Sequence, residues 1–140
     1  MKAVSILFAC AAFAADLAAV KAEPNLEKRS EKALVYAGEL LTAMRGELDR
    51  HDVAKIKEQL VEFQGAIDLS VDSLAATGKN ARNNPKYFKR AEVRLRELNR
   101  RLATFKSDMD LDDRHLLDDV REHVTKKIDH LVEQTLRGNK

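Results

Sequence analysis

The chain has 140 residues, of which 44% are hydrophobic and 34% are charged, and its formal net charge at pH 7 is +2. This length allows one domain, and the hydrophobic fraction is typical of a folded protein rather than a disordered one. The small net charge argues against a dedicated nucleic-acid-binding protein, which normally carries a clear positive excess.

The N-terminal sequence is typical of a secretory signal peptide. Lys2 precedes an apolar run at 3–15, which is shorter than the roughly 20 residues that cross a bilayer as a helix. Small residues allow cleavage after Ala22 or after Ala14, and we favour Ala22 because it leaves a leader of ordinary length. We therefore predict a signal peptide at 1–22, no transmembrane span after its removal, and an exported protein that is periplasmic or extracellular.

The single cysteine, Cys10, lies in this leader. The mature chain then has no thiol, which excludes both disulfide bonds and a cysteine nucleophile. Export without disulfides favours a bacterial cell envelope and a fold that is stabilised by packing alone.

Apolar residues recur at alternating steps of three and four in four later segments, a spacing typical of helices that pack against one another. The first two segments predict helices at about 25–48 and 52–77, with Asn25 and Asp52 as N-caps. Gly78 suits the left-handed residue that follows a helix end. The short break between these helices favours an antiparallel hairpin.

The next two segments predict a second hairpin. Pro85 begins the third helix, at about 85–109, because proline is favoured at the first helical position. The fourth helix is predicted at about 111–137, after an acidic turn. Four helices of similar length predict an all-α, antiparallel up-down four-helix bundle at 23–140. The same heptad spacing also fits an intermolecular coiled coil, so a homodimer is an alternative.

The third helix carries both the most regular apolar repeat and most of the positive charge. Its seam consists of Phe88, Ala91, Leu95, Leu98, Leu102, Phe105 and Met109. Residues 79–106 hold ten basic and two acidic side chains, whereas residues 107–122 hold seven acidic and two basic ones. We therefore expect the third and fourth helices to match charge across their flanks, especially through Arg94 and Arg101.

Five cations of the third helix are expected on its outer face, and we call them the basic stripe: Lys86, Lys89, Arg90, Arg96 and Arg100. Such a row suits an anionic partner, for example lipid head groups, an acidic polysaccharide or an acidic protein. The alternative is an ordinary solvated helix face. Glu92 with Arg96, and Glu97 with Arg101, have the four-residue spacing that stabilises such a face.

Catalytic and cofactor patterns are missing from the sequence. His51, His115, His123 and His130 occur without a Glu-x-x-His pair, which a di-metal site in a bundle needs. Haem held between Met44 and His115 is another alternative, since both residues fall near one end of the predicted bundle. We therefore predict no enzyme, no cofactor and no metal site, with haem or metal carriage as an alternative.

Three glycines stand alone inside the predicted helices: Gly38, Gly46 and Gly65. Glycine in a helix interior costs roughly 0.5–1 kcal/mol relative to alanine, so a packing reason is expected. We predict that neighbouring helices approach closely at these positions.

The third and fourth helices also carry a leucine and arginine pattern: Ala91, Glu92, Leu95, Arg96, Leu98, Arg100, Arg101, Leu102, Asp113 and Arg114. With the signal peptide and the helical hairpins, this pattern resembles small uncharacterised exported helical proteins of acidobacterial type. The resemblance covers most of the mature chain and implies no activity.

Leu41 and Thr42 begin a Leu-Thr-x-x-Gln pattern, in which Arg45 stands at the glutamine position. The chain is similar in this respect to Spy-type periplasmic chaperones, exported helical proteins that bind clients on a basic, partly apolar surface. This similarity implies client binding at the basic stripe.

These observations predict a non-enzymatic exported helical bundle that acts as an interaction or structural module in the cell envelope. The alternative is a chaperone-like or anionic-surface-binding periplasmic protein that uses the basic stripe. The expected partner is an unknown protein or an anionic envelope component, and nucleic acid is not expected.

Overall fold

The computed structural model describes residues 17–138, which form helices and connecting turns without any strand. Four long helices follow one another: α1 (Leu26–Asp49), α2 (Val53–Ala76), α3 (Lys86–Asp108) and α4 (His115–Arg137). Residues 17–21 are also helical. The predicted all-α class is confirmed. Most of the predicted signal peptide, residues 1–16, lies outside the described part of the chain.

The first two helices begin at the predicted N-caps. The side chain of Asn25 accepts a hydrogen bond from the backbone N–H of Lys28 at 2.9 Å, and Asp52 accepts one from Lys55 at 3.1 Å. Each bond satisfies a backbone donor that has no partner within the helix. After α2, Gly78 has a φ of +69°, which glycine adopts without steric strain.

The fourth helix begins later than predicted. Leu111–Asp113 form one 3₁₀ turn, in which the backbone N–H of Asp113 donates to the carbonyl of Asp110 at 3.0 Å. Helical hydrogen bonding of the α type begins at His115. The first buried residue of the α4 seam is Leu117, so residues 111–114 lack the core contact that stabilises a helix of this kind.

The apolar seams of all four helices meet in one hydrophobic core. The largest fully buried side chains are Leu40, Met44, Ile56, Phe63, Ile67, Leu74, Phe88, Leu95, Leu98, Leu102, Leu117 and Leu131. All seven predicted seam residues of α3 are buried. Within residues 17–138, no helix combines the length and the apolar character that a membrane span requires.

The helices do not pair only within their hairpins. α1 packs on α2 and on α3, and α4 packs on α3 and on α2. Glu31 pairs with Arg90 near the starts of α1 and α3, and Arg45 pairs with Asp108 near their ends. These two ion pairs show that α1 and α3 run parallel to each other, which places one flank of the basic helix against α1.

The segment that precedes α1 packs on the same core. Val20 is 8% exposed and belongs to the hydrophobic cluster, and Leu17 packs against it. Glu23 attaches the following turn to α1, because its carbonyl accepts a hydrogen bond from Arg29 Nε at 2.8 Å and its carboxylate accepts one from Lys32. The hydrogen bond from Lys32 lowers the pKa of the Glu23 carboxyl. Residues 17–23 are thus part of the folded body.

Candidate functional site

The structure places all five residues of the basic stripe on the exposed surface of α3. The buried face of the same helix consists of its apolar seam together with Glu92. How much positive charge the stripe offers to a partner depends on the carboxylates and rings that its side chains already contact.

Two cations of the stripe flank a buried carboxylate. Lys89 Nζ and Arg96 Nη2 each lie 3.2 Å from a carboxylate oxygen of Glu92, whose side chain is 11% exposed. A carboxylate with so little water around it needs cationic or hydrogen-bonding partners. The predicted pair of Glu92 with Arg96 is therefore confirmed, and it gives both cations a structural role.

Two other cations of the stripe contact an aromatic ring. The guanidinium carbon of Arg90 and the Nζ of Lys86 each lie 5.4 Å from the ring centroid of Tyr87, which is cation–π distance. Arg90 Nη1 also donates to Glu31 of α1 at 2.9 Å. Arg90 therefore joins α3 to α1, whereas Lys86 keeps its charge exposed.

The structure corrects the predicted roles of Arg94 and Arg101. Their half-buried side chains lie over α1: a methyl group at Gly38 would stand 3.3 Å from Arg101 Nη1 and 3.4 Å from Arg94 Nη2. The predicted pair of Glu97 with Arg101 is wrong, because Glu97 accepts from Arg94 at 2.9 Å and Arg101 donates to Thr42 Oγ1 at 3.1 Å. The parallel packing of α1 and α3 turns this flank of α3 away from the acidic start of α4.

Charge matching between α3 and α4 is correspondingly small. Lys106 pairs with Asp118, and within residues 17–138 this is the one ion pair that joins the two helices. Arg121 Nε instead donates to the amide oxygen of Asn99 at 3.4 Å, and Asn99 lies 3.4 Å from Thr125 Oγ1. Polar contacts rather than ion pairs therefore dominate this flank.

A groove lies between the C-terminal halves of α1 and α3. Its volume is about 390 Å³, and we call it the arginine groove. It is lined by Leu41, Thr42, Arg45, Glu97, Arg100, Arg101, Thr104 and Phe105. One member of the basic stripe, Arg100, thus also lines a concave site.

The histidines do not assemble into a metal site. His123 Nε2 lies 2.6 Å from Asp68 Oδ1, and Lys127 Nζ lies 3.6 Å from the same oxygen, so this group joins α2 to α4. In the part of the chain that the structure describes, no three His, Cys, Asp or Glu side chains are grouped as metal ligands. Met44 is fully buried, whereas His115 is exposed and its Nδ1 lies 2.9 Å from the carbonyl of Asp112. Their positions do not suit the two axial ligands of one haem.

The α1 wall of the arginine groove was not predicted. Nothing in the sequence marks Thr42 or Arg45 as neighbours of Arg100, because their proximity depends on the parallel packing of two helices that are not consecutive. The isolated glycines point to this wall only at Gly38. A methyl group at Gly65 would meet no atom within 4 Å, and one at Gly46 would meet only Arg50 at 3.8 Å, so the predicted close approach is wrong at both.

Comparisons with known proteins add no functional assignment. No family model matches the chain, and neither a curated protein nor a solved structure matches it. A function has to be inferred from the contacts and charges of the chain itself.

Proposed function

We propose that the protein is a non-enzymatic exported helical bundle that acts as an interaction or structural module in the cell envelope. The observation that carries this proposal is the division of α3: its seam lies in the common core, whereas its opposite face exposes five cations. Since the apolar seams are buried within the fold, the surface of α3 that is open to a partner is mainly positively charged.

The architecture that goes with this proposal is an up-down four-helix bundle of two antiparallel hairpins. The parallel contacts between α1 and α3 support it, because two up-going helices of such a bundle run in the same direction. In this arrangement α3 lies beside α1, and α4 lies beside α2.

Export requires removal of a leader, and we place the cleavage after Ala14 rather than after Ala22. Cleavage after Ala22 would remove Val20 from the core and would separate the helical turn at 17–21 from α1. Cleavage after Ala14 keeps both. Mass spectrometry of the secreted protein should find Ala15 as the first residue, and a chain that starts at Glu23 would contradict this placement.

A second candidate function is binding to an anionic surface through the basic stripe. Lys86 and Arg100 support it, because among residues 17–138 neither side chain forms an ion pair, and both are exposed. Lys89 and Arg96 add positive charge beside them, although Glu92 offsets one unit.

Vesicle binding tests this candidate with a charge reversal that leaves the Glu92 contacts intact. The variant is Lys86→Glu with Arg100→Glu, and the matched control is Lys57→Glu with Arg137→Glu, which reverses two exposed charges elsewhere. Sedimentation with vesicles that contain an anionic lipid should be lost for the first variant and retained for the second. Equal loss would mean that only net charge matters, and no loss would exclude the stripe.

The broader proposal is tested by partner capture from a native envelope extract. Wild-type protein should retain a partner that the Lys86→Glu, Arg100→Glu variant loses at unchanged helicity. Prevention of client aggregation, measured on the same two proteins, tests the chaperone-like form of the proposal. Turnover of a substrate by the purified protein, abolished by one point substitution, would contradict the non-enzymatic assignment.

A further inference from the structure

The arginine groove combines a cationic wall with an apolar floor. Arg45 stands on the α1 side, and Arg100 and Arg101 stand on the α3 side. The floor is formed by the outer edges of Leu41 and Phe105, which are otherwise buried in the core and are 4% and 2% exposed. Guanidinium groups next to an apolar surface are suited to a ligand that has both an anionic group and an apolar body.

The positive charge of this groove is not cancelled within the fold. Arg45 is paired with Asp108, and the single carboxylate of the lining, Glu97, is paired with Arg94. Among residues 17–138, neither Arg100 nor Arg101 forms an ion pair. The groove therefore presents two guanidinium groups whose charge is available to an anion.

One of these guanidinium groups is already held in place. Arg101 Nη2 donates to Thr42 Oγ1 at 3.1 Å, and Thr42 Oγ1 in turn lies 3.2 Å from the carbonyl oxygen of Gly38. The missing side chain at Gly38 leaves the space that the guanidinium occupies, since a methyl group there would lie 3.3 Å from Nη1. A preorganised guanidinium loses less conformational entropy when it binds an anion.

The aromatic part of the floor is shared with the third arginine. The guanidinium carbon of Arg45 lies 5.3 Å from the ring centroid of Phe105. The groove is open to solvent along one side and measures about 390 Å³, which suits a small molecule rather than a folded partner.

We propose that the arginine groove binds a small organic oxyanion, with its sulfonate, phosphate or carboxylate group at Arg100 and Arg101 and its apolar body over Leu41 and Phe105. This small-molecule site shares Arg100 with the basic stripe, but it binds a small ligand between α1 and α3 rather than a partner along the whole stripe. It requires neither export nor an envelope partner.

Fluorescence titration with anilinonaphthalene sulfonate tests the site, because this probe carries a sulfonate on an aromatic body. Arg100→Gln and Arg101→Gln should each weaken binding by about tenfold, as expected for loss of a charge-assisted hydrogen bond. Arg137→Gln, an exposed substitution on α4, should leave the affinity within about twofold. Since Arg100 is exposed, its substitution should not disturb folding, and circular dichroism checks this.

Glu97→Gln provides a test of opposite sign. Removing the only carboxylate of the lining should tighten probe binding several-fold, whereas a structural effect on the groove would weaken it. Hexyl phosphate should displace the probe. Inorganic phosphate and hexanol at the same concentration should not, because inorganic phosphate lacks an apolar body and hexanol lacks an anionic group.

Three results would overturn the proposal: unchanged affinity in both arginine variants, weaker binding in Glu97→Gln, or equal displacement by inorganic phosphate and hexyl phosphate. The Lys86→Glu variant separates this site from the basic stripe. It should weaken vesicle sedimentation while leaving probe affinity unchanged, so either proposal can fail without the other.

Discussion

The two helical hairpins pack by different means. α1 and α2 approach each other more closely along their lengths than α3 and α4 do. Small buried residues lie in the first hairpin: Ser30, Ala33, Ala37, Gly38, Ala66, Ser70 and Ser73. In α3 and α4, both fully described, Ala91 is the only buried residue of comparable size. The other buried positions of that hairpin carry larger side chains, nearly all of them apolar.

The same three-and-four spacing of apolar residues therefore produces two kinds of helix interface, one that includes small side chains and one that is made almost entirely of large ones. The distance between packed helices follows the size of the side chains at the contact. The first hairpin therefore combines small side chains with large buried ones such as Phe63, whereas the buried contacts of the second hairpin consist almost entirely of larger side chains. We therefore expect added volume at the small buried positions of the first hairpin and removed volume in the second hairpin both to destabilise the protein.

The largest expected effect is the truncation of a leucine in the second hairpin. Leu98 is fully buried in α3, so Leu98→Ala should lower the free energy of unfolding by about 2–5 kcal/mol through lost burial and a residual cavity. Urea denaturation followed by circular dichroism measures it. The control is Val93→Ala on the same helix, where the side chain is 65% exposed and a change below about 0.5 kcal/mol is expected. Similar losses in both variants would contradict the assignment of Leu98 to the core.

The first hairpin should instead be damaged by added volume. Ala37 is fully buried in α1, so Ala37→Leu should destabilise by about 1–3 kcal/mol, because the neighbouring side chains must move to accommodate it. Ala54→Leu, at an exposed position of α2, is the volume-matched control. If Ala37→Leu stabilised the protein, the first hairpin would have to contain an unfilled cavity beside Ala37.

A buried hydrogen bond gives a further test of the first hairpin. Ser30 Oγ and Ser70 Oγ lie 2.8 Å apart between α1 and α2. Ser70→Ala should cost about 1–3 kcal/mol, because it leaves the Ser30 hydroxyl without a partner. The double variant with Ser30→Ala should cost less than the sum of the two single variants. Strict additivity in this double-mutant cycle would show that the two hydroxyls do not interact.

A smaller effect distinguishes the glycines of this hairpin. Gly65 is exposed, with no atom within 4 Å of an added methyl group, so Gly65→Ala should stabilise the protein by about 0.5–1 kcal/mol. Gly38→Ala should gain less, because it displaces the guanidinium groups of Arg94 and Arg101. Thermal unfolding of the two variants gives the comparison. A larger gain at Gly38 would mean that these guanidinium groups move without cost.

The smallest effect lies outside both hairpins, at Glu23. Its pKa is lowered by the hydrogen bond from Lys32, so its contribution to stability is present above the ordinary carboxyl pKa. This contribution is lost as the pH falls through the lowered value. Lys32→Gln should return the pKa toward its ordinary value, which an NMR titration of the Glu23 side chain would detect. An unchanged titration curve would show that another group causes the shift.

The helices, their buried faces and their N-caps can be predicted from the sequence because they depend on short-range patterns. The seam of α3 and the caps Asn25 and Asp52 are determined by residues within a few positions of one another. The start of α4 was placed too early because the sequence does not show where a helix first gains core contacts. The signal peptide, predicted at 1–22 and then proposed to end at Ala14, and its cleavage stay predictions.

The arginine groove could not be predicted from such patterns. The sequence shows that α3 carries many cations, but it does not show that Arg94 and Arg101 lie against α1, because that contact depends on how the two hairpins dock. A heptad pattern defines which face of a helix is buried without defining which helix covers its flank. For the same reason the ion pair of Glu97 was assigned to the wrong arginine.

The parallel contact between α1 and α3 has a consequence for the order of folding. Each hairpin can begin to form at its turn, between residues that are near in sequence, although its far end joins residues as distant as Ser30 and Ser70, 40 positions apart. The contact of Arg90 with Glu31 joins residues 59 positions apart. Closing such a long loop costs more chain entropy than closing a helical turn, and contacts of this range slow folding. We therefore expect the hairpins to form first and the α1–α3 interface to close afterwards, so that the arginine groove exists only in the fully docked protein.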